Sequence, residues 1–114
     1  MVYDHARALA NDLRTSEEYE KYKTAKEAAY ANESTKNLIA EYHKLQMKAQ
    51  AAYLSGEKND EQMEQLQKLG EVLQFNPAAS EFLLAEYRLN TMLGDVYKIL
   101  ADAIDVDLSA LEEK

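Results

Sequence analysis

The residues able to perform catalysis or bind a metal ion are few in this chain of 114 residues, and they are poorly spaced for either task. Neither of the two histidines, His5 and His43, has a second histidine three or four positions away, the spacing at which one helix face holds a metal ion. The Glu-x-x-His motif of carboxylate di-iron bundles is also missing, because Val2 and Ala40 stand three positions before the histidines. We therefore predict no metal site, and we interpret His43 as a surface residue.

Nucleophiles and phosphate-binding loops are missing as well. The sequence has no cysteine, which excludes disulfides, thiolate zinc sites and cysteine nucleophiles. Its 3 glycines lie too far apart for a phosphate-binding loop, and no serine has the surroundings of a nucleophile elbow. The many carboxylates fall on predicted solvated helix faces, where they favour solubility and the helix dipole. The sequence therefore predicts no catalytic residue, no cofactor and no enzymatic activity.

The 8 tyrosines are the remaining residues with binding chemistry. Their rings suit the rim of a helical bundle or of a protein interface, and they also stack on single-stranded bases where a basic groove surrounds them. Tyr19 and Tyr22 lie among Lys21, Lys23 and Lys26, so an RNA-associated factor that contacts RNA directly is the alternative function. A net charge of −8 argues against nucleic acid as the main partner.

Helices must position these side chains. With 3 glycines, 1 proline, 46% hydrophobic and 30% charged residues, the composition is typical of a nearly all-helical protein, and the length fits a single domain over 1–114. We predict an all-α fold, an antiparallel bundle of about five helices with a long C-terminal helix. Apolar periodicity and end signals place the helices at about 3–13, 16–30, 33–54, 60–74 and 77–104, with one further turn within 107–114.

Local signals set the ends of these helices. Thr15 and Glu18 have the spacing of a capping box, which predicts that Thr15 caps the second helix. Gly56 suits the left-handed conformation that closes the third helix. The pair Asn76-Pro77 predicts the boundary before the last helix, because the residue before proline avoids the helical region.

Apolar spacing predicts two packing surfaces. The third helix presents Leu38, Tyr42 and Leu45 on a core face. On its opposite face lies a set that we call the Met47 stripe and interpret as facing a partner; it consists of Met47, Ala51 and Leu54. The last helix carries a line that we call the Phe82 seam and assign to core packing or dimerisation; it consists of Phe82, Leu89, Met92, Val96 and Ile99.

The length of the last helix indicates self-association. At 1.5 Å per residue the helix is about 42 Å long, whereas a compact monomer of this size is about 34 Å across. We therefore expect a homodimer or a higher even oligomer, together with an unidentified protein partner. No segment has a signal-peptide core or the apolar length of a membrane span, so we predict a cytoplasmic protein without membrane contact.

The order of these features resembles the YlbF/YmcA family of Firmicutes, and within it the YheA-like branch. The likeness rests on the run from Leu13 to Tyr19, the helix that closes at Gly56, and the segments Ala85–Leu89 and Leu93–Val96. It implies a small all-helical protein that self-associates and regulates competence, biofilm formation, sporulation or RNase Y-dependent mRNA processing. Some members hold an iron–sulfur cluster through cysteines, and this cysteine-free chain departs from them.

Overall fold

The computed structural model describes residues 1–105, which form five α-helices and no strand. The helices are α1 (Val2–Arg14), α2 (Glu17–Tyr30), α3 (Glu33–Leu54), α4 (Asp60–Gln74) and α5 (Pro77–Ile104). This confirms the all-α fold class with its long C-terminal helix, and the observed ends lie within a residue or so of the predicted ones. The turn predicted within 107–114 lies outside the described residues.

The chain divides into two compact units, and the division falls inside α2 and inside α5. Among the described residues, one unit comprises Met1–Tyr22 and 84–105, and the other comprises Lys23–Leu83. In the second unit α3 and α4 pack against each other across the short connection 55–59, so the two helices run antiparallel.

The start of α2 differs from the prediction, because Ser16 and not Thr15 caps the helix. The Ser16 hydroxyl accepts a hydrogen bond from the backbone N–H of Tyr19 at 3.2 Å and donates one to the carbonyl of Leu13 at 2.6 Å. The Thr15 hydroxyl instead donates to the carbonyl of Asn11 at 3.0 Å, at the end of α1. A capping side chain must stand immediately before the first helical residue, and with α2 beginning at Glu17 only Ser16 does so.

The end of α3 follows the prediction for Gly56. This glycine has a φ of 79°, and its N–H donates to the carbonyl of Tyr53 at 3.2 Å. The N–H of Glu57 donates to the carbonyl of Ala52 at 2.9 Å, which completes the hydrogen-bond pair of a Schellman motif. The motif satisfies carbonyls that the helix end leaves unpaired and turns the chain toward α4.

The core of the second unit is built largely from small side chains. Phe82, Ile39 and Leu73 are its largest fully buried residues. Most of the other buried apolar positions are alanines: Ala29, Ala49, Ala52 and Ala79. Small side chains allow helices to approach closely, but each contributes little buried apolar area.

The first unit buries less. Helix α1 has no buried residue, and the part of α5 in this unit has a single one, Ala85, among the described residues. None of the helices described is both long enough and apolar enough to cross a membrane.

Candidate interaction surfaces

Helix α3 has a buried face and an exposed face. Leu45 is buried as predicted, whereas Leu38 and Tyr42 are half-buried. The buried face also includes Thr35 and Ile39, which the periodicity argument did not select. Thr35 is polar, and Ile39 is a neighbour of the selected Leu38, so a single line of apolar positions missed both. The buried face is therefore wider and begins one turn earlier than predicted.

Thr35 is buried because its hydroxyl has a partner. The side-chain amide of Asn76, which stands between α4 and α5, donates a hydrogen bond of 2.9 Å to the Thr35 Oγ1 atom. The carbonyl oxygen of the same Asn76 side chain accepts from the backbone N–H of Ala79 at 3.2 Å, which caps α5. One asparagine thus fixes the start of α5 and ties it to the first turn of α3.

Aromatic rings lie beside this contact. The ring of Phe82, which is 1% exposed, has its centroid 5.6 Å from that of Tyr30 and 6.3 Å from that of His43. His43 is therefore half-buried against Phe82, and its interpretation as a surface residue was wrong. The physical reason is the helical repeat, since His43 lies one turn after the buried Ile39.

The Tyr30 ring also receives two cations. The Nζ atoms of Lys26 and Lys36 lie 5.4 Å and 5.9 Å from its centroid, within the range of a cation–π contact. The Lys26 contact lies within α2, and the Lys36 contact links the end of α2 to the first turn of α3. Together with the rings of Phe82 and His43, they form an aromatic cluster beside α3 in the second unit.

The Met47 stripe lies on the exposed face of α3. Met47 is 71% and Leu54 is 56% exposed, and Ala51 between them is exposed as well. Exposed Met and Leu side chains on a helix whose other face is buried are typical of an interaction surface. The partner-facing role of this stripe stays a prediction.

Lysines accompany the stripe. Lys36, Lys44 and Lys48 are exposed on α3, and the helical repeat places Lys44 between Ala40 and Met47 on the same side of the helix. Residues 32–56 carry a net charge of +1, whereas residues 57–114 carry −8. The exposed residues of α3 therefore include three lysines and two glutamates, Glu33 and Glu41, on a protein that is acidic overall.

The residues of the Phe82 seam differ in burial along α5. Phe82 is in the core of the second unit, whereas Leu89, Met92 and Val96 are half-buried in the first. Ile99 is 68% exposed. The assignment of this seam to packing or dimerisation stays a prediction, with the C-terminal end of the seam open to solvent in the single chain.

The tyrosines and lysines that the alternative function assigns to RNA contact lie along α2 from its first turn onward. The rings of Tyr19 and Tyr22 are half-buried and stack on each other with centroids 6.4 Å apart. Lys21 forms an ion pair of 2.8 Å with Glu17, and its hydrogen bond and charge lower the pKa of the Glu17 carboxyl. The rings contact each other and Lys21 has a carboxylate partner, which is unfavourable for a basic stacking platform, and direct RNA contact through this face stays a prediction.

Among residues 1–105, no group of three or more histidine, cysteine or acidic side chains is arranged to hold a metal ion. The features that the described residues do present are exposed apolar side chains and lysines on the outer face of α3.

Comparisons with known proteins place the chain among small bacterial proteins. A UPF0342 protein of Symbiobacterium thermophilum is 44% identical over 108 residues, which cover 94% of this chain and 96% of that protein. A UPF0342 protein of Halothermothrix orenii is 31% identical over 113 residues, covering 98% of this chain and 96% of the relative.

A solved structure supports the same fold. The protein of unknown function (DUF964) from Bacillus stearothermophilus superposes with a TM-score of 0.76 at 21% identity, over 91% of this chain and 92% of that one. The family model described as "Control of competence regulator ComK, YlbF/YmcA" matches residues 2–105. The chain therefore belongs to the YlbF/YmcA family, as its sequence resemblance predicted.

Proposed function

We propose that the protein is a non-enzymatic, cytoplasmic regulatory adaptor that binds other proteins through exposed helical faces. The observation that carries this proposal is the Met47 stripe, in which Met47 and Leu54 are largely exposed on a helix whose opposite face is buried. Unpaired apolar side chains of this size on a regular helix favour a protein partner. The family description, which names control of a competence regulator, supports a regulatory role.

The experiment is a double substitution, Met47→Glu with Leu54→Glu, tested by affinity purification of the tagged full chain from its native cell. Both side chains are exposed, so helicity by circular dichroism and the thermal midpoint should change little. Two charges in the centre of an apolar interface should abolish capture of the partner, because each carboxylate would lose its hydration there.

A matched control uses exposed apolar residues outside α3. Val72→Glu with Phe75→Glu adds the same two charges at exposed positions of the same unit and should leave capture intact. Capture that survives the Met47 and Leu54 substitutions would refute the assignment of this face. Unfolding of that variant would show that the stripe belongs to the core.

The adaptor is proposed to act as a homodimer or a higher even oligomer. Helix α5 has 28 residues and is about 42 Å long, and Ile99 and Ile104 near its end are each 68% exposed. An apolar helix end of this kind is stabilised by a second copy. Sedimentation velocity at tens of micromolar should give at least twice the chain mass of 13.0 kDa, and a strictly monomeric species would refute this part of the proposal.

A further inference from the structure

One polar residue, Lys44, continues the line of the Met47 stripe toward the start of α3. Ala40, Lys44, Met47, Ala51 and Leu54 follow one another at alternating steps of four and three residues, the spacing at which one helix packs along another. All five are exposed. Any helix that packs along this line must therefore pack over Lys44.

Lys44 has no ion-pair partner among the described residues, with Glu41 three positions before it as the nearest carboxylate along the helix. Within residues 1–105, Lys44 and Lys48 make no ion pair, whereas Lys21 and Lys68 each pair with a glutamate one turn earlier. Lys44 and Lys48 are themselves one turn apart, an arrangement of like charges that is unfavourable on a helix. A partner with negative charge relieves this repulsion.

We infer that this face of α3 binds an acidic amphipathic helix of another protein, which places a carboxylate opposite Lys44. The inference rests on the proposed function and names the chemistry of its partner. A partner with an entirely apolar face would bury the Lys44 ammonium without a counter-charge, which is strongly unfavourable. A carboxylate opposite Lys44 satisfies the charge and also sets the register of the two helices, as a single polar seam position does in coiled coils.

The dimensions of the face suit a helix. From Ala40 to Leu54 the line is about 21 Å long, or about four turns. Ala51 is small enough to let a second backbone approach between the larger side chains of Met47 and Leu54. Aliphatic side chains in the centre favour a protein helix over RNA, because they offer no ring on which a base can stack.

The same face of a second copy is a poor occupant. Antiparallel pairing of two α3 faces about the middle of the line brings Lys44 and Lys48 of one copy toward Lys48 and Lys44 of the other, and like charges across an interface weaken binding. The partner chemistry that fits is therefore acidic, apolar and helical.

The test uses designed peptides as probes and the full chain as receptor. Three fluorescein-labelled helical peptides of about 18 residues, about five turns, share a leucine seam and differ at one central seam position, which is glutamate, leucine or lysine. Fluorescence anisotropy should show that the glutamate peptide binds at least about tenfold more tightly than the lysine peptide.

Substitutions of Lys44 then exchange the preference. Lys44→Glu should make the lysine peptide the tighter ligand, and Lys44→Leu should favour the leucine peptide. Lys58→Glu is the matched control, since it makes the same charge change on an exposed lysine outside α3 and should leave the order of the peptides unchanged.

Equal binding of the three peptides, or an unchanged order with Lys44→Glu, would overturn the inference. A single-stranded RNA oligonucleotide that competes for the face more tightly than the peptides would also overturn it. So would a change in the oligomer mass of the chain with Lys44→Glu, because a second copy would then be the occupant. If the peptides fail but the Met47 and Leu54 substitutions still abolish capture of the cellular partner, the proposed function stands and only the acidic helix is refuted.

Discussion

The two hydrogen bonds of Asn76 can be removed one at a time. Asn76→Ser keeps a side chain that caps α5, since serine and asparagine cap helices about equally well. Its hydroxyl is too short to reach Thr35, whose Oγ1 atom lies 2.9 Å from the asparagine amide. Asn76→Ala removes both the cap and the contact with Thr35.

The expected losses in the free energy of unfolding follow from the burial of Thr35, which is 5% exposed. A buried hydroxyl that loses its partner costs about 1–3 kcal/mol, so Asn76→Ser should lower the free energy of unfolding by that amount. The lost cap adds about 1 kcal/mol, so Asn76→Ala should cost about 2–4 kcal/mol. In a Thr35→Val background no hydroxyl is left unpaired, and Asn76→Ser should then cost little.

Urea unfolding followed by circular dichroism measures these differences in the free energy of unfolding. The midpoints can be compared when the variants have equal m-values, the slopes of that free energy against urea concentration. The four combinations of Thr35→Val and Asn76→Ser form a double-mutant cycle, which isolates the interaction between the two side chains. If Asn76→Ser costs the same with threonine as with valine at position 35, the hydrogen bond does not stabilise the fold and the reasoning is refuted.

Two further predictions concern helix ends. Gly56→Ala should lower the free energy of unfolding by about 1–2 kcal/mol. The cause is the φ of 79°, which alanine resists although no atom lies within 4 Å of its Cβ position. Gly56→Asn should lower the free energy of unfolding less in the same urea assay, and equal losses for the two substitutions would contradict a backbone origin. In an NMR titration the pKa of the Glu17 carboxyl should lie below 4.5 and return toward 4.5 with Lys21→Gln. Because the folded-state pKa is lowered, the stabilisation by this pair is present above pH 4.5 and is lost as the pH falls through the lowered value.

Much of the helical layout follows from the sequence, because its signals are local. Proline at position 77 and glycine at 56 restrict or permit particular backbone angles whatever surrounds them, and both boundaries were predicted correctly. The choice between Thr15 and Ser16 was wrong, since two adjacent hydroxyls offer the same chemistry and only the position of the chain break decides between them.

The surroundings of α3 were harder to predict, because they depend on distant residues. The burial of Thr35 requires Asn76, which is 41 positions away. The half-buried His43 requires Phe82 from α5. Hydrophobic periodicity describes one helix at a time, so it finds the exposed Met47 but cannot identify polar residues that another helix makes acceptable in a core.

The alanine-rich core of the second unit has a consequence for how long the protein survives in a cell. Few large apolar side chains are buried there, and regions with few buried apolar contacts open locally and are cleaved more readily. A partner that binds only the folded chain stabilises it by mass action, by about 2.7 kcal/mol when its free concentration is 100 times its Kd. Under the proposed function, the abundance of the chain should therefore follow the supply of the partner, with the unbound fraction degraded first.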